Sequence, residues 1–421
     1  MQLILETPLM TLARIERNAL SSEKQYITVA SNKEDLAIVN FFYAKSSRGG
    51  LCLSIDEIER FRDVIKPRAD IENFLKFNRK AISNSSREMM KFLNSSITTS
   101  KFRDVGECGI PSVGVLIRQW DSFKLTRQCL ESLHQANILA MKNGELEVSY
   151  YLVDDASSDD SFLRLFLEFP FIKVVRMVSK VEYCLSFNIL AEKAINEGCK
   201  YVFLVNNDTR NFSQNFLLSL VSTALNSNNL YSIVSPLVRG FDGASFFDGT
   251  KRDFAGINFP IATEAYLVSG ELWRSINGFN LNLVRYCEDL DMLRRAGSLS
   301  TFVSADFSAN LEHLGNGSSR RQVFVPTFFY VRNLFWIQKL YNKRIFSHNF
   351  YKNVFTRRIK PELRKVLREI VIGPHLRGFT RLNYLILALI CGFFLNPKMT
   401  WAQDPSRYIL NTKSRFFFRL K

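Results

Sequence analysis

Three acidic clusters and one histidine are the places where this chain could do chemistry. Tyr201 to Thr209 reads YVFLVNNDT, so an apolar run passes straight into Asn206, Asn207 and Asp208. A carboxylate flanked by neutral oxygen donors suits a hard divalent cation that shares its coordination with phosphate oxygens. A second cluster, VDDASSDDS, sets Asp154 and Asp155 directly after another apolar run. A third, RYCEDLDML, carries Glu288 and Asp289, and His313 precedes Gly315-Asn316-Gly317-Ser318. Each has a plainer explanation when taken alone. These are an Asx turn after a strand, a capping loop, an acidic helix start favoured by the dipole, and a structural histidine beside a glycine turn.

The elements around these residues restrict the choice. Val113 to Ile117, Val148 to Val153, Ile172 to Val175, the run at 201 and Ile233 to Val238 have the length and apolar character of buried strands. Helical stretches lie between them, at Leu125 to about Met141, about Cys184 to Asn196, and Phe212 to about Leu225. Strands alternating with helices predict βαβ units, an α/β fold with a mostly parallel sheet. Ligands of such sheets bind at the carboxyl ends of the strands, where Asp154, Asp155 and Asp208 stand. No GxGxxG and no GxxxxGK[ST] occurs, which speaks against a Rossmann dehydrogenase and a P-loop NTPase. Residues 239–258, rich in Gly, Asp and Phe, read as a long loop.

With 421 residues, the chain is long enough for two or three domains. Residues 1–108 form an N-terminal α/β extension. It has a candidate strand at Ile38 to Ala44, a helix starting at Ser54, and a helical stretch from Asp70 to about Leu93. No chemistry-bearing motif occurs there. Residues 109–325 hold the acidic clusters, and 326–421 form a basic, aromatic, helical region. From Lys339 to Arg381 there are twelve Lys/Arg against two acids, followed by the nearly apolar Leu382 to Leu395, then Trp401 and the basic end Lys413 to Lys421. The apolar run, at fourteen residues, is short for a membrane span. The net charge of +16 predicts an anionic partner. With no nucleic-acid motif beside it, this points to an anionic membrane surface rather than to nucleic acid. The seven scattered cysteines include no CxxC pair and indicate a reduced compartment, and the N-terminus lacks a basic leader.

In order along the chain stand VDDASSDDS, a helix containing Asn188, FLVNNDT, Ser269-Gly270 with Arg274, Gly278-Phe279, Glu288-Asp289-Leu290-Asp291, His313, and Phe328-Phe329-Tyr330-Val331-Arg332-Asn333. From about 111 to 340 this order resembles the family 2 glycosyltransferases of GT-A fold, the rhamnosyl- and galactofuranosyltransferase-like branch in particular. The resemblance implies an inverting, metal-dependent transfer of a sugar from a nucleotide-diphosphate donor to a hydroxyl of a glycan or polyprenyl-diphosphate-linked glycan, in cell-surface polysaccharide synthesis. It implies that Asp154 and Asp155 hold the base and ribose, with Asn188, Asn206 and Asn207 on the donor. Asp208 and His313 would bind Mn2+ or Mg2+, and Asp289, with Glu288 beside it, would be the catalytic base. The expected location is cytoplasmic, peripheral on the inner face of the membrane. Departures from the family pattern are Trp120-Asp121 in place of a Tyr-Asn pair, and Lys180 to Phe187 without the usual Asn-x-Gly. They keep open an alternative, a catalytically degenerate GT-A module that binds nucleotide-sugar or glycan as a scaffold.

Overall fold

The structure is a computed structural model. It describes residues 2–16, 24–45, 50–65, 69–83, 109–240, 245–247, 252–254, 257–259, 261–315, 324–341, 352, 354–373 and 375–395. Trp401, Lys413 to Lys421 and the second half of the helix expected from Asp70 to Leu93 lie outside these residues; its first half is the helix Ile71–Ser83.

The main sheet is built from β4 (Ser112–Gln119), β5 (Glu147–Asp154), β6 (Ile172–Arg176), β7 (Tyr201–Asn206), β8 (Thr209–Arg210), β9 (Ser232–Gly240), β13 (Ala265–Ser269) and β14 (Phe302–His313), with β10 (Ser245–Phe247) on its edge. Its order is β6-β5-β4-β7-β13-β9-β14-β8. Strands β4 to β7 are mutually parallel, and β13 runs antiparallel between β7 and β9. This is the expected α/β architecture with a mostly parallel sheet. Alternation along the strands divides the interior into two layers. Leu116, Tyr151, Val153, Val202 and Leu204 face the helix Glu182–Asn196. Val115, Ile117, Leu152, Phe203 and Val205 face the helices Phe123–Lys142, Ser161–Glu168 and Phe216–Asn226. Register sets Gln119, Asp154 and Arg176 side by side, and Arg118 beside Asn206, so the carboxyl ends of four strands form one rim.

Two local expectations need correcting. Ile38 to Ala44 is not a strand but part of the helix Lys33–Lys45. Every residue from Asp35 to Ala44 is buried, so no polar stripe betrays the helical period. Its start is fixed by Asn32, whose Oδ1 accepts from the Glu34 and Asp35 amides at 2.9 Å each. Residues 239–258 are not a plain loop either: they contain the end of β9, β10, and β11 (Arg252–Phe254), which pairs with β12 (Ile257–Phe259).

The N-terminal region is a parallel sheet of β1 (Gln2–Glu6), β2 (Lys24–Ala30) and β3 (Leu51–Ser54). The expected helix start at Ser54 is a full capping box with Glu57. That glutamate also receives both Arg176 Nη atoms, at 2.9 and 2.5 Å, and so ties the extension to the main sheet. The six described cysteines are all buried. At the carboxyl-terminal end, the helices Phe324–Tyr341, Lys360–Val371 and His375–Phe394 pack together.

Candidate active site

At the rim, Asp154 and Asp155 are fully buried. Asp154 accepts from Gln119 Nε2 and from Ser157 through its amide and hydroxyl, and Arg176 Nε stands 3.6 Å away. Burial pushes its pKa up to about 6 against the pull of Arg176. Asp155 pairs with Arg118 and accepts the amides of Val181 at 2.7 Å and Glu182 at 3.1 Å. It thereby fixes the turn in which Glu182 takes a positive φ of 65°. Next to it, Lys180 Nζ lies 3.1 Å from the centroid of the Trp120 ring. Burial lowers that ammonium to about 8 although Glu182 opposes the shift. Asp121, the other departure from the family pattern, caps the following loop through Ser158 N–H at 2.7 Å.

Two of the residues expected on the donor are engaged by the chain itself. The Asn188 amide is spent on the chain itself: Nδ2 donates to Phe279 O at 2.9 Å, and Oδ1 accepts from Phe279 N–H at 2.8 Å. A Cβ on Gly278, whose φ is +65°, would fall 2.6 Å from Asn188 Oδ1, so the glycine and the asparagine require each other. Asn207 turns inward, donating to Ser122 Oγ at 2.7 Å and Thr126 Oγ1 at 2.9 Å, and holds the 123–142 helix to the end of β7. Asn206 is half-buried at the rim, its amide donating to Glu264 O at 2.9 Å.

Asp208 and His313, 105 residues apart, meet because β8 pairs antiparallel with the end of β14, Thr209 opposite His313. His313 Nε2 lies 3.1 Å from Asp208 Oδ1, and both side chains are buried. Burial works against protonation of this imidazole, yet the hydrogen bond and charge of Asp208 raise its pKa. One oxygen and one nitrogen donor fit a divalent cation that takes its remaining ligands from a diphosphate and water. Among the described residues, no group of three or more His, Cys, Asp or Glu could hold a metal.

Glu288 and Asp289 open the helix Glu288–Gly297, both nine-tenths buried. Burial first, and for Glu288 the neighbouring Asp289 charge, raise both pKa values far above the ordinary carboxylate range. Two such neighbours titrate as a pair and hold a proton near neutral pH. The backbone before them is strained: Val284, Tyr286 and Cys287 have φ of 66°, 65° and 64°. Two neighbouring side chains secure that loop. Asn333 Nδ2 faces Leu283 O, Arg285 O and Tyr286 O at 2.9, 2.9 and 2.8 Å. Its own Oδ1 is held by Arg332, which also donates to Asn282 O and Leu283 O. The Arg332-Asn333 pair stood in the sequence only as a family signature; its role emerges from contacts across about fifty residues.

Glu264 was missed altogether. It precedes β13, opposite Asn206, and its charge acts on both His313 and Asp289. Its Oε2 is buried and has no hydrogen-bond partner among the described residues, and the same is true of Glu288 Oε2. Unpaired buried carboxylate oxygens cost several kcal/mol unless a ligand or proton meets them. The sequence held no signal for Glu264, because it follows a stretch without a recognisable strand and belongs to no motif.

No family model matches the chain, and no match is found among curated proteins. Among solved structures the chain is similar to S. aureus TarS 1–349 in complex with UDP-GlcNAc, with 13% identity, TM-score 0.42, and coverage of 66% of this chain and 81% of that one. It is also similar to GalNAc-T7 with UDP, GalNAc and Mn2+, with 13% identity, TM-score 0.44, and coverage of 75% and 63%. The mannosyltransferase PcManGT from Pyrobaculum calidifontis in complex with GDP-Man and Mn2+ gives 11% identity, TM-score 0.43, and coverage of 73% and 94%.

Proposed function

We propose that the chain is a glycosyltransferase that moves a sugar from a nucleotide-diphosphate donor to an acceptor hydroxyl with inversion. One observation carries this reading. The Asp208–His313 pair and the proton-holding Glu288–Asp289 pair come from distant segments, and the Glu264 charge reaches both. Asp208 and His313 would hold Mn2+ or Mg2+, which when bound neutralises charge on the leaving diphosphate. Asp289 takes the acceptor proton. Its raised pKa suits a base working near neutral pH, which contributes on the order of 10² to 10⁴ in rate. Glu288 stays protonated beside it, so that the pair carries a single negative charge. The free Glu264 oxygen accepts a hydrogen bond from a hydroxyl of the transferred sugar, between leaving group and base. Trp120 offers a flat face to the base of the nucleotide once Lys180 swings toward the diphosphate. The glycan or lipid-linked acceptor and a role in cell-surface polysaccharide assembly follow from the family resemblance.

A panel of nucleotide-sugars with Mn2+ tests this, with release of the nucleoside diphosphate and the product anomer as readouts. We expect turnover with one donor, loss of at least 10² in kcat for Asp289→Asn, and a mainly KM effect for Glu264→Gln. Undiminished turnover in Asp289→Asn removes the base assignment. A scaffold reading draws on the internal engagement of Asp154 and Asp155 and on the covered Trp120 ring. Nucleotide-sugar binding without turnover on any acceptor would favour it.

A further inference from the structure

The carboxyl-terminal helices leave a face that the other described residues do not cover. In the helix His375–Phe394, Arg381, Leu385, Ala388 and Cys391 turn inward. Phe379, Ile386, Ile390 and Phe394 are exposed, at 53%, 46%, 48% and 79% of their surface. Their spacing of seven, four and four residues places all four on one side of an α-helix. The helix Lys360–Val371 behaves likewise: Val366 is buried, while Lys360, Arg364, Leu367, Arg368 and Val371 are exposed and share the opposite side. Val371 and Ile372, at 71% and 80% exposure, stand at the turn between the two helices. Apolar side chains of this size and number, flanked by arginines and lysines, match a surface that is hydrocarbon beneath and anionic above.

One window of the second helix, Arg377–Phe394, is long and apolar enough to cross a bilayer, which corrects the expectation drawn from the shorter run at 382–395. Its contacts argue that it does not cross. Arg381 is buried and bonded to Glu369 at 2.9 and 3.0 Å and to Glu362 at 3.2 Å, which fastens the first turns to the neighbouring helix. At the far end Trp336 Nε1 donates to Cys391 O at 3.2 Å, and Phe335 packs on Phe393 with ring centroids 4.6 Å apart. Phe335 packs so closely there that a Cβ on Gly392 would meet its side chain at 3.1 Å. Both ends are therefore held against protein along one side. An apolar groove of about 520 Å3, lined by Phe335, Val354, Phe355, Ile359, Leu389 and Phe393, adjoins the stripe.

We infer that this helix pair lies in the plane of an anionic bilayer, with the Phe379–Ile386–Ile390–Phe394 stripe in the acyl region and Arg364 and Arg368 at the headgroups, and that it does not span the membrane. The full chain is to be sedimented with vesicles of phosphatidylglycerol and phosphatidylcholine, and with phosphatidylcholine alone. We expect binding to the anionic vesicles that weakens with salt, since each basic residue near such a surface contributes about fivefold. The variant Phe379→Glu/Ile386→Glu/Ile390→Glu is expected to lose at least tenfold in partition, and Arg364→Glu/Arg368→Glu to lose at least tenfold on anionic vesicles only. All five positions are exposed, and circular dichroism checks that the fold is retained. Carbonate is expected to release the bound protein. Equal binding by the apolar variant, no binding by the wild type, or retention after carbonate would each overturn the inference. So would a wild-type dimer in the absence of lipid that the apolar variant dissociates, because the face would then belong to a second copy. None of these readouts uses sugar transfer, so the proposed activity and the docking surface stand or fall separately.

Discussion

The side chain whose removal is most informative is Asn333, which touches no reacting group. Its amide nitrogen faces three backbone carbonyls of the loop that delivers Glu288 and Asp289, and it has two protons to share among them. Asn333→Ala therefore deletes about two hydrogen bonds to the loop and strands buried carbonyls, at about 0.5–1.5 kcal/mol per bond, or roughly 1–3 kcal/mol on the loop side, and it also removes the Oδ1 that holds the Arg332 guanidinium. Against this stand three non-glycine residues in the left-handed region, each costing about 1–3 kcal/mol. The strained backbone is then left to the Arg332 bonds and to the Cys184 N–H on Val284 O, so the loop loosens locally instead of the whole domain unfolding. A shift of about 1 Å at the base costs on the order of 10² in rate. The expected outcome is a kcat lower by about that factor, with the melting temperature down by no more than a few degrees. Amide hydrogen exchange at 283–287 should rise by at least tenfold, a readout that needs no known donor. Unchanged exchange there, or kcat within twofold of wild type despite lowered stability, would refute the clamp and leave Asn333 as packing.

Three further outcomes follow from the same contacts. His313→Ala and Asp208→Asn should each abolish the rise in melting temperature that a nucleoside diphosphate gives in the presence of Mn2+, and cut turnover by at least 10²; a preserved Mn2+-dependent rise would remove both from the metal site. Asp154, Glu288 and Asp289 have folded pKa values above their unfolded ones, so the native state binds the extra protons and their contribution to stability falls as pH rises from about 4 to about 8. His313, also raised, loses its contribution in the same direction, while turnover should climb through about pH 7 as Asp289 ionises; an equal pH dependence of the melting temperature in Asp289→Asn and wild type, or a turnover flat through pH 7, would contradict the raised Asp289 pKa. Gly278→Ala should destabilise by about 1–3 kcal/mol in denaturant unfolding, because φ stays positive and the new Cβ meets Asn188 Oδ1.

The parallel strands and the carboxyl-end position of the acidic clusters were legible because buried parallel strands are short apolar runs, and VDD and VNND end such runs. The helix at Lys33–Lys45 was not, since a segment covered on all sides has no periodic polar face. Within the site, residue types were readable but directions were not. Asn207 differs from Asp208 by one position, and the chain turns one toward Ser122 and Thr126 and the other toward His313. Asn188 carries the polarity of a ligand contact, yet the backbone of Phe279, ninety-one residues on, takes both ends of its amide. Glu264 and the Asn333 clamp depend on pairings of β13 with β7 and of a distant helix with a loop, which no local pattern encodes.

Polar side chains near the rim divide into those whose hydrogen bonds are completed by protein and those whose bonds are not. Asn188, Asn207, Asp155 and Asn333 belong to the first group and fix backbone, including turns that would otherwise relax out of positive φ. Glu264 and Glu288 belong to the second, each with a buried carboxylate oxygen that finds no partner among the described residues. Buried carboxylates without partners destabilise a fold, and a cluster of them at a sheet mouth is sustained where a substrate or proton completes it. The rigid first group is what makes the second tolerable: with the loop before Glu288 fastened by Asn333 and Arg332, the carboxylates cannot turn outward to water. Loosening the clamp should therefore lower the pKa of the Glu288–Asp289 pair along with turnover. The acid limb of the pH profile in Asn333→Ala should then move toward lower pH, which loss of packing alone would not produce.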